Sequence, residues 1–526
     1  MPPSDSPRKA APPDPPRTLW IWGIPLGGTL LVSFLILATK IPLGIPDEWV
    51  WNRKPLAPDY WLSLPFLFIV IAISAVVIWW GAQEIRTAKR RTLVLLLTLS
   101  TLLSFAWLWT VQESAPGELR LSKGVFVLYY PGPSGYFTEA RYHVDDLRGY
   151  LARYTDKLHE GDVLHIGTHP PGLIVAYRIL MAARQAAPKF FETLDDLQPP
   201  TFRQAGQVLI ANSRLGPTPV TSGDLSLLWA ATLLVQFVAA LTVVPLFFLI
   251  AEFFSRRTAW MLIQFWPFVP ALSLFLPKSD AFFPCLSAAI LALWICGWRR
   301  NSCFLCCCAG FVAWLGLFFS LAFLPVLFLA ALVTVWCSSP CVVSGERTPP
   351  ALKRIGTCGL AVGLGFSLPV LLLKLWSGLN LIEVWLLNYK NHAGFYRQYT
   401  RTYSQWLWYN PLELAVALGL PIFWLALRSI VSSLRSPRSP RFGIVLTVLL
   451  TWSILWLTGK NMGEAARLWL FLTPWWIWLA AEFFELITDP RSDDPPPARF
   501  WWLWGTQILA CLVLAARVVG FDLAGG

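Results

Sequence analysis

Four of the five histidines in this 526-residue chain fall within one polar segment, residues 112–224. They are His143, His159, His165 and His169, and several aspartates and glutamates lie between them. Imidazole and carboxylate groups are the side chains that most often transfer protons in enzymes. A polar segment of this length is uncommon unless it is functional or disordered. Because this one keeps aromatic residues and an apolar periodicity, we expect it to be folded and to carry the chemistry.

The first candidate group lies early in this segment. On a helix, Glu139, Tyr142, His143 and Asp146 would share one face through spacings of three and four residues. That face would present a carboxylate beside an aromatic ring and an imidazole, which suits proton abstraction from a sugar or peptide hydroxyl. Glu139, Asp145 and Asp146 are therefore the candidate catalytic bases, and Tyr142 and His143 the candidate substrate contacts. The alternative is an ordinary charged helix face.

The second group contains His165 and His169, and the sequence Pro-Pro-Gly follows His169. Thr168 is suited to cap a helix, and proline is favoured in a first helical turn. The two histidines would then stand at a helix N-terminus, where phosphate binds readily, so both are candidate substrate contacts. Histidines four residues apart can also bind a divalent metal, but a pair with this spacing is common where no metal binds. We assign no metal ligand, and a divalent metal stays the alternative.

The third group is a short turn, residues 459–467, between two apolar stretches. Lys460 and Arg467 could hold the phosphate of a lipid at the membrane surface. Glu464 and Arg467 are three residues apart on a helix and could instead pair with each other.

Two further segments carry candidate substrate contacts. Residues 388–403 are aromatic and basic, and Tyr389, Arg397 and Arg401 suit sugars and phosphates, although an interfacial aromatic belt would look the same. Lys278 and Asp280 either cap a helix that begins near residue 280 or face the same site as the histidines.

Apolar stretches must position these groups, because the chain is 56% hydrophobic, has a mean hydropathy of +0.55 and contains 30 tryptophans. This composition predicts an all-α polytopic membrane protein. Three spans precede the polar segment and ten follow it. We predict 13 spans, at residues 19–39, 61–82, 92–111, 225–251, 258–276, 280–298, 302–319, 321–337, 355–376, 411–430, 442–458, 468–487 and 500–519.

The charge pattern predicts the orientation of these spans. Basic residues account for the net charge of +12 and cluster at one set of span ends, so nucleic acid is not implied. We therefore expect a disordered cytoplasmic tail at residues 1–18 and an integral protein of a bacterial-type plasma membrane. Residues 172–187 are short and contain two arginines, which predicts an amphipathic helix on the membrane surface. Residues 112–224 and the tail 520–526 then face outwards.

Together these features resemble the GT-C superfamily of membrane glycosyltransferases, which includes protein O-mannosyltransferases and the lipid A aminoarabinose transferase. The resemblance covers nearly the whole chain in architecture, but its motifs are short. Glu139 and Tyr142 match the Glu and Tyr of the family's Asp-Glu-x-x-Tyr motif. His169 and the two prolines after it match a segment that opens a surface helix, and Pro277 with Asp280 matches a proline and an acid at the outer end of a helix pair.

Two departures from the family pattern bear on the site. Thr138 stands where the family has its catalytic Asp, so the role would pass to Glu139, Asp145 or Asp146. Two spans also precede the usual position of the first large loop, as in an N-terminal extension by one helical pair.

The resemblance implies inverting transfer of a sugar from a polyprenyl-phosphate donor to an extracytoplasmic acceptor, which would be a protein, a lipid or a glycan. A carboxylate would take the acceptor's proton, and cations from among Lys278, Arg397, Arg401, Lys460 and Arg467 would stabilise the departing phosphate. The first alternative is a carrier or flippase for lipid-linked saccharides, which would use the same cations without a base. The scarcity of acids within spans counts against a coupled transporter. The second alternative is an envelope assembly or sensor protein without catalysis.

Overall fold

The computed structural model describes residues 19–56, 60–214, 218–337, 352–436, 442–488 and 495–521. The predicted tail at 1–18 and most of the tail at 520–526 lie outside these residues. The described part is mostly helical, with one short two-stranded sheet, in agreement with the predicted all-α membrane class.

The N-terminal part contains three apolar helices and one hairpin that the sequence did not predict. The elements are α1 (Leu19–Ala38), β1 (Leu43–Ile45), β2 (Trp49–Trp51), α2 (Tyr60–Glu84) and α3 (Arg90–Glu113). The two strands pair antiparallel, with Gly44 opposite Val50. The Arg53 guanidinium donates hydrogen bonds to the carbonyls of Leu35, Thr39 and Ile41, which satisfies backbone acceptors at the C-terminal end of α1.

The polar segment folds into eight helices. They are α4 (Lys123–Tyr129), α5 (Tyr136–Tyr142), α6 (Leu147–Ala152), α7 (Tyr154–His159), α8 (His165–Thr168), α9 (Gly172–Ala186), α10 (Pro188–Asp196) and α11 (Pro200–Ser213). Phe137, Tyr154 and Phe202 are buried in a core that this segment shares with Trp229 of the following helix. The segment is therefore a folded layer packed on the helical bundle.

The remaining helices complete the bundle. The first set is α12 (Ser222–Leu241), α13 (Val243–Ala251), α14 (Arg256–Ile263), α15 (Pro270–Phe275), α16 (Phe283–Arg300), α17 (Cys303–Phe319), α18 (Leu324–Cys337) and α19 (Leu352–Ser377). The second set is α20 (Leu381–Gln398), α21 (Tyr403–Leu418), α22 (Leu420–Arg435), α23 (Phe442–Leu457), α24 (Ala465–Leu468), α25 (Thr473–Thr488) and α26 (Ala498–Arg517).

Nine helical stretches in the described ranges are long and apolar enough to cross a membrane, and some of them join two consecutive helices, such as α12 with α13. They correspond to nine of the 13 predicted spans. Three other predicted spans contain the shorter apolar helices α17, α18 and α23. The shorter helices leave the predicted count of 13 unconfirmed.

The predicted span at 411–430 is not one continuous helix. Helices α21 and α22 meet at an angle of 116° at Gly419, which has a φ of 93°. Glycine is favoured at such a φ, and Pro421 has no backbone N–H with which to continue a helix. The Gln507 side chain donates a hydrogen bond at 2.8 Å to the Leu418 carbonyl at the break. An amide from α26 thus satisfies a backbone group that the break exposes.

Helices α17 and α19 approach closely because small residues face each other. A Cβ added at Gly365 would collide with the carbonyl oxygen of Cys307, and one added at Gly310 would collide with that of Val362. Small residues allow such close helix packing where no hydrophobic driving force acts within lipid.

This packing gives a matched pair of substitutions. We expect Gly365→Val to destabilise the protein by about 1–3 kcal/mol, because the helices must separate or strain. Gly363→Val, on the same helix, is the control, since a Cβ there meets open space. Thermal unfolding of the purified protein in detergent should show a lower midpoint for Gly365→Val only. Equal midpoints for the two variants would contradict the close packing of α17 and α19.

Candidate functional site

The segment carrying His165 and His169 is fixed by local backbone contacts. The Asp162 carboxylate accepts hydrogen bonds from the backbone N–H groups of Leu164 (2.9 Å) and Gly167 (3.1 Å), which shapes the turn into α8. His169 precedes a proline and is therefore extended, with φ −120° and ψ 148°. The chain becomes helical again only at Gly172, so Thr168 does not cap α9 as predicted.

Helix α20 holds this segment in place. Asn388 is fully buried, and its side-chain amide donates to the carbonyls of Gly167 (2.9 Å) and His169 (3.2 Å). The Asn391 amide donates to the carbonyls of Leu158 (2.9 Å) and Gly167 (3.1 Å). These amides add hydrogen bonds to carbonyls at the end of α7 and in the segment around α8, and this ties residues 158–169 to α20.

The two imidazoles lie side by side with their ring centroids 6.3 Å apart, and the Tyr136 ring lies 6.0 Å from His165 and 5.9 Å from His169. His165 Nε2 lies 2.9 Å from the Gly132 carbonyl oxygen and 3.4 Å from Lys278 Nζ. A single nitrogen cannot donate to the carbonyl and accept from an ammonium at once. The tautomer of His165 and the protonation of Lys278 are therefore linked.

Lys278 and Asp280 approach the histidines from the break between α15 and α16. Both side chains are buried, at 3% and 7% exposure. Asp280 forms no ion pair with any described residue, although its negative charge acts to raise the pKa of both His169 and Tyr136. The sequence alternative in which these residues face the histidines is thus the one observed.

The turn before α24 supplies Arg467. Its guanidinium pairs with Glu464 at 2.8 Å, as one sequence alternative predicted, and both side chains are mostly buried. Arg467 Nε is buried and has no hydrogen-bond partner among the described residues. A buried donor without a partner costs free energy and suits a ligand that brings an acceptor. We call His165, His169, Lys278, Asp280 and Arg467 the charged cluster.

Burial and neighbouring positive charges lower the pKa values of the basic side chains in the charged cluster. Burial, then the charges of Lys278 and Arg467, hold the pKa of His165 well below its usual range. Burial lowers the pKa of His169 to about 4 despite the nearby Asp280 carboxylate. Burial and the charge of Arg467 lower the pKa of Lys278 to about 7. Both imidazoles are therefore neutral at pH 7, so the positive charge of the cluster resides on Lys278 and Arg467.

Helix α20 also contributes a histidine that was not among the predicted site residues. Burial and the charge of Lys460 lower the pKa of His392. Lys460 Nζ lies 5.0 Å from the centroid of the Tyr389 ring, a cation–π distance. His392 falls within the aromatic and basic segment 388–403, so that pattern was the signal for it.

Glu139 lies in a different environment from the one predicted for a base. Its side chain is 7% exposed, and its Oε1 accepts from Lys157 Nζ at 2.5 Å and from the Tyr150 hydroxyl at 2.8 Å. Tyr150 contacts Tyr154, whose hydroxyl donates to the His169 carbonyl at 2.9 Å. Glu139 is thus linked through Tyr150 and Tyr154 to the backbone of the histidine segment. An acceptor hydroxyl would have little access to its buried carboxylate.

The predicted common face of Glu139, Tyr142, His143 and Asp146 is wrong. Helix α5 ends before His143, and Asp146 caps the next helix by accepting from the N–H groups of Arg148 (3.2 Å) and Gly149 (2.7 Å). Asp145 and His143 are exposed. The Tyr142 hydroxyl donates to the Thr218 carbonyl at 3.4 Å.

The two predicted arginines of the 388–403 segment differ. Arg397 is exposed near the end of α20. Arg401 lies over the Trp49 ring at 5.7 Å, and its Nε is buried without a hydrogen-bond partner in the described ranges. A Cβ at Gly463 would lie 3.0 Å from that Nε, so Arg401 borders the turn that carries Arg467.

Within the described residues, no group of three or more His, Cys, Asp or Glu side chains is arranged to hold a metal ion. No model of a known protein family matches the chain, and no curated protein matches it. The function must therefore be inferred from the geometry of the site.

The assignment of Glu139 to a supporting ion pair can be tested with a double-mutant cycle. We expect Lys157→Met to lower the free energy of unfolding by about 1–3 kcal/mol, because a buried carboxylate loses its charged partner. Glu139→Gln in that background should restore most of the loss, which thermal unfolding in detergent would measure. Additive effects of the two substitutions would contradict the pair.

Proposed function

We propose that the protein is a glycosyltransferase that moves a sugar from a polyprenyl-phosphate donor to an extracytoplasmic acceptor. The observation that carries this proposal is the buried Arg467 Nε, which has no partner among the described residues, together with the buried Lys278 side chain nearby. Lys278 and Arg467 would bind the phosphate of the donor. Guanidinium N–H groups match phosphate oxygens in geometry, and an anion would counter the burial and the Arg467 charge that lower the pKa of Lys278.

An apolar cavity next to the turn that carries Arg467 supports a lipid donor. Its volume is about 280 Å³, and Leu43, Phe275, Trp406, Val416 and Ala466 are among the residues that line it. Ala466 immediately precedes Arg467, so the cavity begins beside the charged cluster. An amphiphile with a phosphate head and an apolar chain fits this pairing of a basic site and an apolar cavity.

Asp280 is the carboxylate that we assign as the base in this reaction. It would accept the proton of the acceptor hydroxyl while that oxygen forms a bond to the anomeric carbon of the sugar. The bond from that carbon to the phosphate oxygen breaks, and the phosphate leaves with the electron pair. A single displacement inverts the anomeric configuration. Lys278 and Arg467 would stabilise the charge that develops on the phosphate.

Lipid mass spectrometry of the detergent-purified protein tests the donor class. We expect bound polyprenyl phosphate or its glycosylated form, and we expect about tenfold or greater loss in Arg467→Ala, which removes charged hydrogen bonds. Arg397→Ala is the matched control, since that arginine is exposed, and it should retain the lipid. Bulk phospholipid alone, in equal amounts in all three proteins, would contradict the proposal.

Measuring sugar transfer distinguishes a glycosyltransferase from a flippase. In membranes supplied with labelled donor, we expect Asp280→Asn to retain the lipid but to lose sugar transfer by about 10²–10⁴-fold. Glu139→Gln should keep transfer if the protein folds. Full transfer by Asp280→Asn would rule out Asp280 as the base, and lipid movement across the bilayer without transfer in the wild type would favour a flippase.

Donor binding should depend on pH through Lys278. Its ammonium form declines as the pH rises through about 7, and a bound phosphate favours that form, so binding takes up a proton. We expect retention of polyprenyl phosphate to fall by up to about tenfold per pH unit above this pKa. Lys278→Met, which does not titrate, should bind more weakly and show a flat profile. The same slope in both proteins would show that another group is responsible.

A further inference from the structure

A second cleft lies on the hairpin between α1 and α2, outside the charged cluster. Its volume is about 290 Å³. It is lined by Asp47, Glu48, Trp49, Val50, Trp51 and Asn52 of the hairpin and by Val519 and Phe521 after α26. We call this the hairpin cleft. We propose that it binds an uncharged saccharide portion of the acceptor, an inference that rests on the proposed glycosyltransferase function.

The walls of the hairpin cleft are held rigidly. Glu48 accepts hydrogen bonds from the Thr402 backbone N–H (2.9 Å), the Thr402 hydroxyl and the Trp406 indole N–H (2.6 Å). The Trp51 indole donates to Glu413 at 2.8 Å. The Val519 N–H donates to the Asn52 carbonyl at 2.9 Å, which joins the C-terminal strand-like segment to the hairpin. Two loops and a helix therefore preorganise the cleft, which reduces the entropy cost of binding.

The side chains of the hairpin cleft suit sugar hydroxyls and the apolar faces of sugar rings. Asp47 and Asn52 are exposed, so a carboxylate and an amide are available to pair with hydroxyl groups. Trp49 and Trp51 supply indole surface, with their rings edge to face at 5.5 Å. A concave site with aromatic walls and a few polar groups is typical of small-molecule recognition.

The hairpin cleft and the basic site near Arg401 differ in the sign of their charge, and this difference determines whether an uncharged saccharide or a phosphate binds at each. Asp47 and Glu48 make the hairpin cleft acidic, so phosphate and uronate groups would be repelled there. The basic site begins close by, because Arg401 lies over Trp49 and a Cβ at Gly463 would lie 3.1 Å from Trp49 Cβ. A charged donor and an uncharged acceptor chain can thus occupy neighbouring sites without exchanging places.

The test is saturation-transfer NMR on the full-length protein in detergent, with mannotriose, maltotriose and chitotriose as neutral probes and trigalacturonate as the anionic control. Asp47 has a φ of 64°, so Asp47→Gly removes the carboxylate while its backbone conformation stays favourable. We expect at least one neutral probe to bind and its affinity to fall by about fivefold or more in Asp47→Gly and in Asn52→Ala. Glu192→Gln, an exposed acid on α10, is the matched control.

Lipid retention, measured on the same preparations, separates the two proposals. Undiminished binding by Asp47→Gly and Asn52→Ala would overturn the hairpin-cleft proposal, as would preferential binding of trigalacturonate. A wild-type protein that retains polyprenyl phosphate but binds no neutral probe would overturn it and leave the proposed function standing. Saccharide binding that depends on Asp47, in a protein without polyprenyl phosphate, would support the cleft and contradict the donor assignment.

Discussion

The hydrogen bonds from the Asn388 amide to the carbonyls of Gly167 and His169 are the constraint on which the site depends. The proline after His169 forces an extended backbone there, so its carbonyl cannot be paired within a helix. Because an unpaired buried carbonyl is costly, the donors that α20 supplies stabilise the segment, together with the Tyr154 hydroxyl that also donates to the His169 carbonyl. The histidines of the polar segment are thus positioned by a helix far along the chain, and the two must fold together.

This arrangement also brings buried charges together. His165 is held against Lys278, and Arg467 is near enough to lower the pKa of both, while Asp280 and Glu464 supply the opposite charge. Burying charged groups and shifting their pKa values costs stability, and such groups cluster at functional sites. The two buried acids Asp280 and Glu139 differ in their partners. Lys157 neutralises the charge of Glu139, whereas Asp280 forms no ion pair with any described residue.

The sequence predicted the helical architecture better than the surroundings of Glu139. Apolar length and composition indicate long helices whatever their neighbours, and the segments around His169, Lys278 and Arg467 were each recognised from local patterns. The role of Glu139 was inferred from a continuous helix, but Asp146 starts a new one, and Lys157 lies beyond any local pairing rule. The bend at Gly419 has a local signal in that glycine and Pro421, but its stabilisation by Gln507 of α26 does not. The hairpin depends on contacts with Thr402 and Trp406, which have no local signature.

The hairpin also explains why the apolar cavity lies beside the charged cluster. Trp51 closes one wall of the cavity and is fixed by the Glu413 carboxylate, which accepts in turn from the Ala466 N–H at 3.2 Å. The residue after Ala466 is Arg467, so a single carboxylate sets both the wall of the cavity and the position of the turn. Movement of the hairpin would therefore change the shape of the cavity and the placement of Arg467 together. Under the proposed function, a lipid chain and its phosphate would be recognised as one unit, because the residues proposed to contact each are held by the same hydrogen bonds.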